Sequence, residues 1–249
     1  MILTSKNNPL IKETVALKEK KGRKESGLFL IEGWKMAREC QKSDLEIERV
    51  FVAESYEGET FFPEELITRV SDDVFRHLSD EKTPQGILCR ARIPERPLAP
   101  PKGNCLLLDG VADPGNLGAI LRTANAAGYK EVYLTKECAD PYSPKSVRAS
   151  MSGVFFTKIY RAQRCEILSV LKEIPILIAD MGGANVFSYH PPKQFALVIG
   201  NEANGVSDEV KNAAFHTVKI PMQDTQESLN AAISAGIIMY VLQKDTFRN

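Results

Sequence analysis

The sequence predicts an α/β protein of two domains, with a mostly parallel β-sheet in the second domain. Along the 249 residues, short apolar runs typical of strands alternate with segments of helical periodicity. In the second half these runs are continuously apolar, as in strands that helices cover on both faces. A proline-rich stretch, RIPERPLAPPKGN (92–104), suits an extended linker. We therefore expect an N-terminal domain over residues 1–98 and a C-terminal domain over residues 104–249.

The N-terminal domain is predicted to be a small α/β unit. A helical pattern runs from Pro9 to about Lys20, and a charged loop follows it. Strands and short helices then alternate through six segments: GLFLIEG (27–33), WKMARECQK (34–42), ERVFVA (48–53), ELITRV (65–70), DDVFRHLSD (72–80) and QGILCRAR (85–92).

The C-terminal domain shows a cleaner alternation of strands and helices. Its strands are predicted at NCLLLDG (104–110), EVYLT (131–135), ILIAD (176–180), FALVIGN (195–201) and TVKIPM (217–222). Its helices are predicted at 117–127, near 145–152 and from about 229 to 242.

Composition narrows the classes of function. The 32 basic and 32 acidic residues cancel, which argues against a strongly cationic nucleic-acid-binding protein. Residues 1–24 carry a local surplus of basic side chains, which could bind the phosphate backbone of a nucleic acid or, equally, form a solvated helix face.

The five cysteines and three histidines show no metal-ligand spacing, so we expect no metal site. No apolar run approaches the roughly 20 residues that span a bilayer, and we expect a cytoplasmic protein without a membrane partner.

Three segments of the C-terminal domain break from an apolar run into a polar loop. They are DPGNLGAILRTANAAG (113–128), LVIGNEANGVS (197–207) and IPMQDTQESLNAAISAGI (220–237). In open α/β sheets, ligands bind where loops leave the carboxyl ends of the strands. We therefore expect the three loops to build one site.

The first loop offers two residues of interest. Asn116 is fully explained as the N-cap of the following helix, because asparagine is among the best capping residues. Arg122 has no such explanation, and its guanidinium leans over Gly118 one turn earlier. A glycine inside a helix costs about 0.5–1 kcal/mol relative to alanine, so this one indicates space kept for a ligand or for close helix packing. From the residues alone, an exposed and inert arginine is somewhat the better interpretation.

The second and third loops also carry polar residues that have ordinary structural explanations. Gly200 would let a ligand approach the backbone, and Glu202 is either held at the strand end or simply solvated. Ser207 and Ser228 are predicted N-caps, whereas Asn230 falls in a first turn without a structural reason. The closing helix is predicted to carry an apolar stripe of Leu229, Ile233, Ile237 and Tyr240. Its small-residue run AAISAG suits close packing within the domain or across a dimer interface.

Familiar nucleotide-binding and hydrolase motifs are missing from these loops. The first loop has Gly115 and Gly118 but not GxGxxG, which disfavours a nicotinamide-dependent oxidoreductase. The chain also lacks the phosphate-loop pattern GxxxxGK[ST] and the nucleophile pattern GxSxG.

Taken together and in this order, the three segments resemble the motifs of the SpoU (TrmH-like) RNA 2'-O-ribose methyltransferases of the SPOUT superfamily. The segment SKNNPLIKETVALKEKKGRKESGLFLIEG (5–33) is similar to the start of that family's small substrate-binding domain. The resemblance implies a SPOUT catalytic domain with a trefoil knot, which is an exception to the general absence of knots. It also implies an N-terminal ribosomal-protein-like α/β domain that binds RNA, a homodimer, and S-adenosylmethionine as methyl donor.

The resemblance assigns roles by position in the motifs. It implies that five residues are catalytic: Arg122, Asn116, Glu202, Ser228 and Asn230. It implies that six residues contact or neighbour the cofactor: Gly200, Ile220, Leu229, Ile199, Met222 and Ser228. Asn116, Ser228 and Asn230 would orient ribose and cofactor, and Glu202 would anchor Arg122 or the loop.

A ribose 2'-hydroxyl must lose its proton to attack, whereas a sulfonium methyl is already activated by positive charge. Because an arginine side chain keeps its proton at neutral pH, Arg122 is better suited to clamp the adjacent phosphate or the developing alkoxide than to act as base. The proton acceptor stays open between this arginine and the substrate phosphate.

Two positions depart from the family pattern. Asp224 stands where a glycine is usual, and Ala231 where a valine is usual. A carboxylate at Asp224 would crowd the cofactor or shift the loop, so a non-catalytic RNA-binding paralogue is an alternative. A tRNA 2'-O-methyltransferase and a base methyltransferase of the same superfamily are further alternatives. We expect ribosomal RNA ahead of transfer RNA as substrate, because the family's appended N-terminal domain suits structured RNA.

Overall fold

A computed structural model describes residues 2–226 and 228–247. The chain divides into two compact units. The first unit holds the residues up to Glu95 together with Asp140–Phe155. The second unit holds Arg96–Ala139 together with the residues from Phe156 onward. None of the described helices is long and apolar enough to cross a membrane.

The described residues form ten α-helices and ten strands that alternate along much of the chain. The helices are α1 (Pro9–Ala16), α2 (Lys20–Ser26), α3 (Trp34–Gln41), α4 (Asp72–Leu78), α5 (Pro114–Ala126), α6 (Pro144–Ser150), α7 (Gly153–Phe156), α8 (Arg164–Leu171), α9 (Asp208–Asn212) and α10 (Ala231–Leu242). The strands are β1 (Leu28–Glu32), β2 (Ile47–Ala53), β3 (Ile67–Val70), β4 (Ile87–Arg92), β5 (Cys105–Asp109), β6 (Glu131–Thr135), β7 (Lys158–Ala162), β8 (Ile176–Asn185), β9 (Ala196–Gly200) and β10 (His216–Lys219).

The first unit contains a four-stranded sheet in the order β1-β4-β2-β3. Strand β4 runs antiparallel to both of its neighbours, and β2 and β3 are parallel. Helices α1 and α4 contact each other, and together with the sheet they form a core that includes Ile11, Phe51 and Phe75. The predicted small α/β unit is therefore present.

The helix predicted from Pro9 to about Lys20 is shorter in the structure, and the charged loop predicted after it forms a second helix, α2. Helix α1 ends at Ala16, and the buried guanidinium of Arg23 donates to the carbonyls of Leu17 and Lys18, each at 2.8 Å. These bonds satisfy carbonyls at the end of the helix, which would otherwise lack partners. Hydrogen bonds made by a charged side chain leave no mark on hydrophobic periodicity, so the sequence pattern could not locate this helix end.

The segment Asp140–Phe155 packs within the first unit. Its Asp140 accepts hydrogen bonds from Arg23 at 2.7 and 2.9 Å, and the ring of Tyr142 lies 4.9 Å from that of Phe29. Helix α6 contacts β1. Chain position alone places this segment in the C-terminal domain expected over residues 104–249, whereas its contacts are with the first unit.

The second unit contains a six-stranded, wholly parallel sheet in the order β10-β8-β9-β5-β6-β7. Strands β5 and β9 are adjacent and central, with Asp109 opposite Gly200 at their carboxyl ends. The predicted parallel sheet is confirmed, as are all five strands predicted for it. Sequence analysis missed β7, because charged Lys158 and Arg161 interrupt the apolar pattern of this edge strand. It also missed the following helix, α8.

Candidate functional site

The three loops singled out in the sequence meet at the carboxyl ends of β5, β9 and β10. A chain of side-chain hydrogen bonds joins them. The Nδ2 of Asn116 in the first loop donates to Glu202 Oε1 in the second at 2.8 Å. The Nδ2 of Asn230 in the third loop donates to Asn116 Oδ1 at 2.9 Å. Sequence analysis expected one shared site, and these contacts bring the loops together.

Helix α5 begins three residues earlier than the sequence suggests. Its N-cap is Asp113, whose side chain accepts from the backbone N–H of Asn116 at 2.8 Å. The prediction that Asn116 is the cap is therefore wrong. Because a preceding aspartate fills that position, the side chain of Asn116 is free to bond to the other two loops.

Glu202 fastens the second loop to the first. Its carboxylate accepts from the backbone N–H groups of Ala112 at 3.1 Å and Asp113 at 3.3 Å, besides Asn116. Partial burial alone would raise the pKa of Glu202, but these hydrogen bonds favour the charged form and lower its pKa overall. Glu202 is therefore a charged anchor of the loop.

The third loop leads into α10 through Asn230. Its Oδ1 accepts from the backbone N–H groups of Ala232 at 2.9 Å and Ile233 at 3.3 Å, so Asn230 is the N-cap. The predictions that Ser228 is the cap and that Asn230 falls in the first turn are wrong. The side-chain oxygen of Asn230 therefore caps α10, while its side-chain nitrogen donates a hydrogen bond to Asn116.

Helix α10 buries a different face from the one predicted. The buried residues are Ala235, Ile238, Met239 and Leu242. Ile233 and Tyr240 of the predicted stripe are exposed instead, at 56% and 44%. The helix is apolar around its whole circumference, so the sequence pattern could not distinguish the two faces.

Gly200 is required by the protein's own backbone. A Cβ at this position would overlap the carbonyl carbon of Gly205 and lie 2.5 Å from the amide nitrogen of Val206. The loop folds back here, because Asn201 and Gly205 exchange two backbone hydrogen bonds of 2.9 Å. The sequence interpretation expected space for a ligand at Gly200, whereas the chain itself occupies that side.

Sequence analysis missed Asp109, Asn201 and Arg164. Asp109 is 2% exposed, and its carboxylate accepts from Arg164 Nε and from the backbone N–H of Ser207, each at 2.8 Å. Asn201 Nδ2 donates to the carbonyl of Gly110 at 2.8 Å. Asp109 and Asn201 stand at or just after the carboxyl ends of adjacent central strands, a position that could have identified both.

Arg122 lies on the exposed face of α5, opposite buried apolar residues that include Leu117 and Leu121. In the described part of the chain, Glu202 binds the first loop and not Arg122. Of the two roles expected for Glu202, the structure thus supports anchoring of the loop. The guanidinium of Arg122 is open to solvent, and a large charged group could reach it.

A pocket of about 410 Å³ opens beside this hydrogen-bonded chain. Its wall includes all six residues predicted to contact or neighbour the cofactor: Ile199, Gly200, Ile220, Met222, Ser228 and Leu229. Glu202 and Asn230 also line it, whereas Asn116 and Arg122 lie outside the wall. The volume falls in the range of about 300–1,000 Å³ that is typical of small-molecule sites.

The lining of the pocket suits a molecule with an apolar ring system and a charged end. Ile199, Val218 and Ile238 supply buried apolar surface, and Asp180 and Lys219 supply opposite charges. S-adenosylmethionine combines an adenine ring with an amino-acid group that carries both charges, so the residues present fit it. Asp224 is exposed and is not part of the pocket wall. The described residues contain no cluster of side chains able to hold a metal ion.

Replacing Glu202 by glutamine is expected to loosen the second loop. The amide loses one acceptor oxygen and turns an N–H₂ group toward donors, at a cost of about 1 kcal/mol after allowance for solvent screening. Because the pKa of Glu202 is lowered, its carboxylate stabilises the fold above the ordinary value of about 4.3, and this stabilisation is lost as the pH falls through the lowered pKa. Thermal unfolding at pH 7 should show a Tm lower by about 2–4 °C.

The difference in Tm between the wild type and Glu202→Gln should shrink as the solution is acidified below pH of about 4. Glu173→Gln is the matched control, since Glu173 is 84% exposed and lies at 4.0 Å from Lys172 in a loose surface ion pair. A Tm difference that is constant down to pH of about 3 would show that the charge of Glu202 does not hold the loop.

Comparison with known proteins identifies related sequences and structures. The model of the SpoU rRNA methylase family matches residues 103–240, and that of the MRM3-like substrate binding domain matches residues 8–89. The chain is 32% identical over 249 residues to the 23S rRNA (guanosine(2553)-2'-O)-methyltransferase RlmP of Bacillus subtilis (strain 168), covering 97% of this chain and 98% of the relative.

Two solved structures are similar over almost the whole chain. One is an AdoMet-bound rRNA methyltransferase from Sinorhizobium meliloti, with a TM-score of 0.87, 28% identity and 98% of each chain covered. The other is an RNA 2'-O ribose methyltransferase, with a TM-score of 0.82, 31% identity and 99% of each chain covered. The family model covers more than half of the chain and these likenesses extend over both units, so the protein belongs to the SpoU rRNA methylase family.

Proposed function

We propose that this protein transfers a methyl group from S-adenosylmethionine to a ribose 2'-hydroxyl of ribosomal RNA. The observation that carries the proposal is the pocket at the three joined loops, whose wall contains every residue expected to contact the cofactor. Family membership and the named activity of the relative from Bacillus subtilis support the same reaction.

The pocket residues would hold the cofactor in place. Bound S-adenosylmethionine supplies a methyl group on a positively charged sulfur. Ile199, Ile220 and Leu229 offer apolar surface and backbone groups at the pocket wall, and Gly200 allows the second loop to fold tightly beside it. Ser228 lines the wall with an exposed side chain, which can orient cofactor or ribose.

Arg122 would act as an electrostatic clamp on the RNA. Its exposed guanidinium can bind a phosphate or the developing alkoxide through charge-assisted hydrogen bonds. Glu202 is a poor general base, because its pKa is lowered and its oxygens already accept three hydrogen bonds. Asn116 and Asn230 keep the loops in register, so that the clamp and the pocket face one reaction centre.

Ribosomal RNA is proposed ahead of transfer RNA. The relative from Bacillus subtilis and the structure from Sinorhizobium meliloti are both named for rRNA, and each is covered over nearly its full length. The first unit overlaps the matched substrate-binding domain and would hold the RNA. The 2'-hydroxyl is the group that distinguishes RNA from DNA.

The proposed enzyme is a cytoplasmic homodimer. Support for a second copy comes from α10, where Ile233 and Tyr240 expose apolar surface beside Ile237. Exposed apolar patches of this kind mark interaction surfaces.

We also propose that the C-terminal part of the chain forms the trefoil knot of the SPOUT fold. Cytoplasmic localisation follows from the proposed ribosomal substrate.

The first test is transfer of labelled methyl groups from S-adenosylmethionine. The substrates are 23S, 16S and transfer RNA from cells that lack this protein, each purified separately, with intact ribosomal subunits assayed in parallel. Nuclease digestion and nucleoside analysis then identify the product. We expect a 2'-O-methylated nucleoside from ribosomal RNA only.

Any other outcome of this assay would contradict part of the proposal. Label on transfer RNA would overturn the ribosomal assignment, and label on a base would overturn the ribose assignment. Absence of transfer to any pool, combined with absence of cofactor binding by calorimetry, would favour a non-catalytic RNA-binding protein.

A further inference from the structure

Helix α3 of the first unit presents a basic face. Lys35, Arg38 and Lys42 are exposed and follow one another at i, i+3 and i+7, which places them on the same side of the helix. Within α3 the acidic residue is Glu39, and it pairs with Lys42 at 2.8 Å. In a chain of zero net charge, this face is a local surplus of positive charge.

An aromatic side chain stands beside the basic face. Trp34, the single tryptophan of the chain, begins α3, and the guanidinium carbon of Arg38 lies 5.1 Å from the centre of its ring. This distance is within the range of a cation–π interaction. The ring of Phe61 meets Trp34 edge-on at 6.2 Å, and its carbonyl accepts from Gln41 Nε2 at 2.7 Å. The arginine is thus held over a ring that is itself held in place.

Arg38 is available for a ligand. In the part of the chain that the structure describes, no carboxylate is paired with it, although many other arginines here form ion pairs. A guanidinium is planar, always charged and weakly hydrated, so it can stack on a base while attracting phosphate. Proteins commonly bind single-stranded RNA by stacking unpaired bases on aromatic rings or on arginine planes.

We propose that Trp34, Lys35, Arg38 and Lys42 form a contact site for single-stranded RNA, here called the α3 site. An unstacked base lies on the Arg38 guanidinium, which Trp34 supports from behind. Lys35 and Lys42 contact the flanking phosphates. The inference rests on the proposed function, because it states where the first unit holds the RNA that the second unit methylates.

The single tryptophan provides a direct test on the full-length protein. Intrinsic fluorescence is titrated with single-stranded oligoadenylate of about 12 nucleotides, and separately with an RNA duplex of the same length, at about 50 mM salt. We expect saturable quenching by the single strand and little by the duplex. Since Trp34 is the only tryptophan, the signal reports this site and not the pocket of the second unit.

Variants then separate stacking from general charge attraction. Arg38→Ala is expected to weaken binding of the oligoadenylate roughly tenfold, because it removes the plane on which the base stacks. Arg38→Lys, which keeps the charge but not the plane, should recover only a small part of the loss. The matched control is Arg69→Ala, which removes an arginine of the same unit that is 46% exposed and loosely paired with Glu64 at 3.9 Å. It should bind like the wild type.

The proposal is overturned if the duplex quenches the fluorescence as strongly as the single strand, or if neither quenches it. It is also overturned if Arg38→Ala and Arg69→Ala lose the same affinity for oligoadenylate. Methyl transfer to ribosomal RNA, measured separately, distinguishes failure of this site from failure of the proposed reaction. Transfer without quenching rejects the α3 site alone. Quenching without transfer rejects the reaction and leaves the α3 site standing.

Discussion

Replacing Arg122 by alanine is expected to slow methyl transfer by orders of magnitude while leaving the Kd for S-adenosylmethionine unchanged. Arg122 lies on the exposed face of α5 and outside the pocket wall, so its loss removes no proposed cofactor contact. Loss of one group that stabilises developing charge typically lowers kcat by about 10²–10³-fold. The measurement is single-turnover transfer to ribosomal RNA, with calorimetry of cofactor binding alongside.

Two further variants sharpen the test of Arg122. Lys130→Ala removes an exposed cation just after the same helix, whose Nζ donates to Asn125 at 3.3 Å, and it should transfer at the rate of the wild type. Arg122→Lys keeps the charge without the planar fork and should recover activity in part. Transfer by Arg122→Ala at a rate near that of the wild type would show that this arginine is not the clamp.

The Gly200→Ala variant is expected to lose cofactor binding and much of its stability. The new methyl group would overlap the backbone of Gly205 and Val206, which cannot move without breaking the two hydrogen bonds between Asn201 and Gly205. Overpacking costs typically about 1–3 kcal/mol, and the neighbours here are backbone atoms with little freedom to move. Thermal unfolding and calorimetry with S-adenosylmethionine measure the two effects.

Gly103→Ala is the matched control for Gly200→Ala. A Cβ at Gly103 meets no atom within 4 Å, so this variant should retain both Tm and cofactor affinity. If Gly200→Ala bound the cofactor as tightly as the wild type, two conclusions would be wrong. One is that the backbone of Gly205 and Val206 leaves no room for a Cβ at this turn, and the other is that the second loop forms part of the cofactor pocket.

The architecture of the second unit follows closely from local sequence patterns. The continuously apolar runs of β5, β6 and β9 are buried throughout or nearly so, as expected for strands covered on both faces. The edge strand β7 escaped detection because Lys158 and Arg161 break its apolar run. Edge strands tolerate charge at positions where a central strand does not, and a search for apolar runs misses them for that reason.

Sequence analysis placed candidate residues in the three loops, but it did not predict how their side chains bond to one another. Motif order identified Asn116, Glu202 and Asn230, yet capping rules assigned the wrong cap to both α5 and α10. Several capping residues stand close together at each helix start, and local preference cannot choose among them. The choice is made by contacts between segments that are 86 and 114 residues apart in sequence.

The chain of hydrogen bonds through the three loops has a direction. Glu202, as a carboxylate, can only accept, so Asn116 must turn its nitrogen toward Glu202 and its oxygen toward Asn230. Asn230 must then donate to Asn116 and turn its own oxygen to the first amides of α10. The amide dipoles therefore align head to tail between a negative charge and the positive end of a helix. One ionised carboxylate thus sets the polarity of all three loops, and the loops share a single electrostatic state at the edge of the pocket.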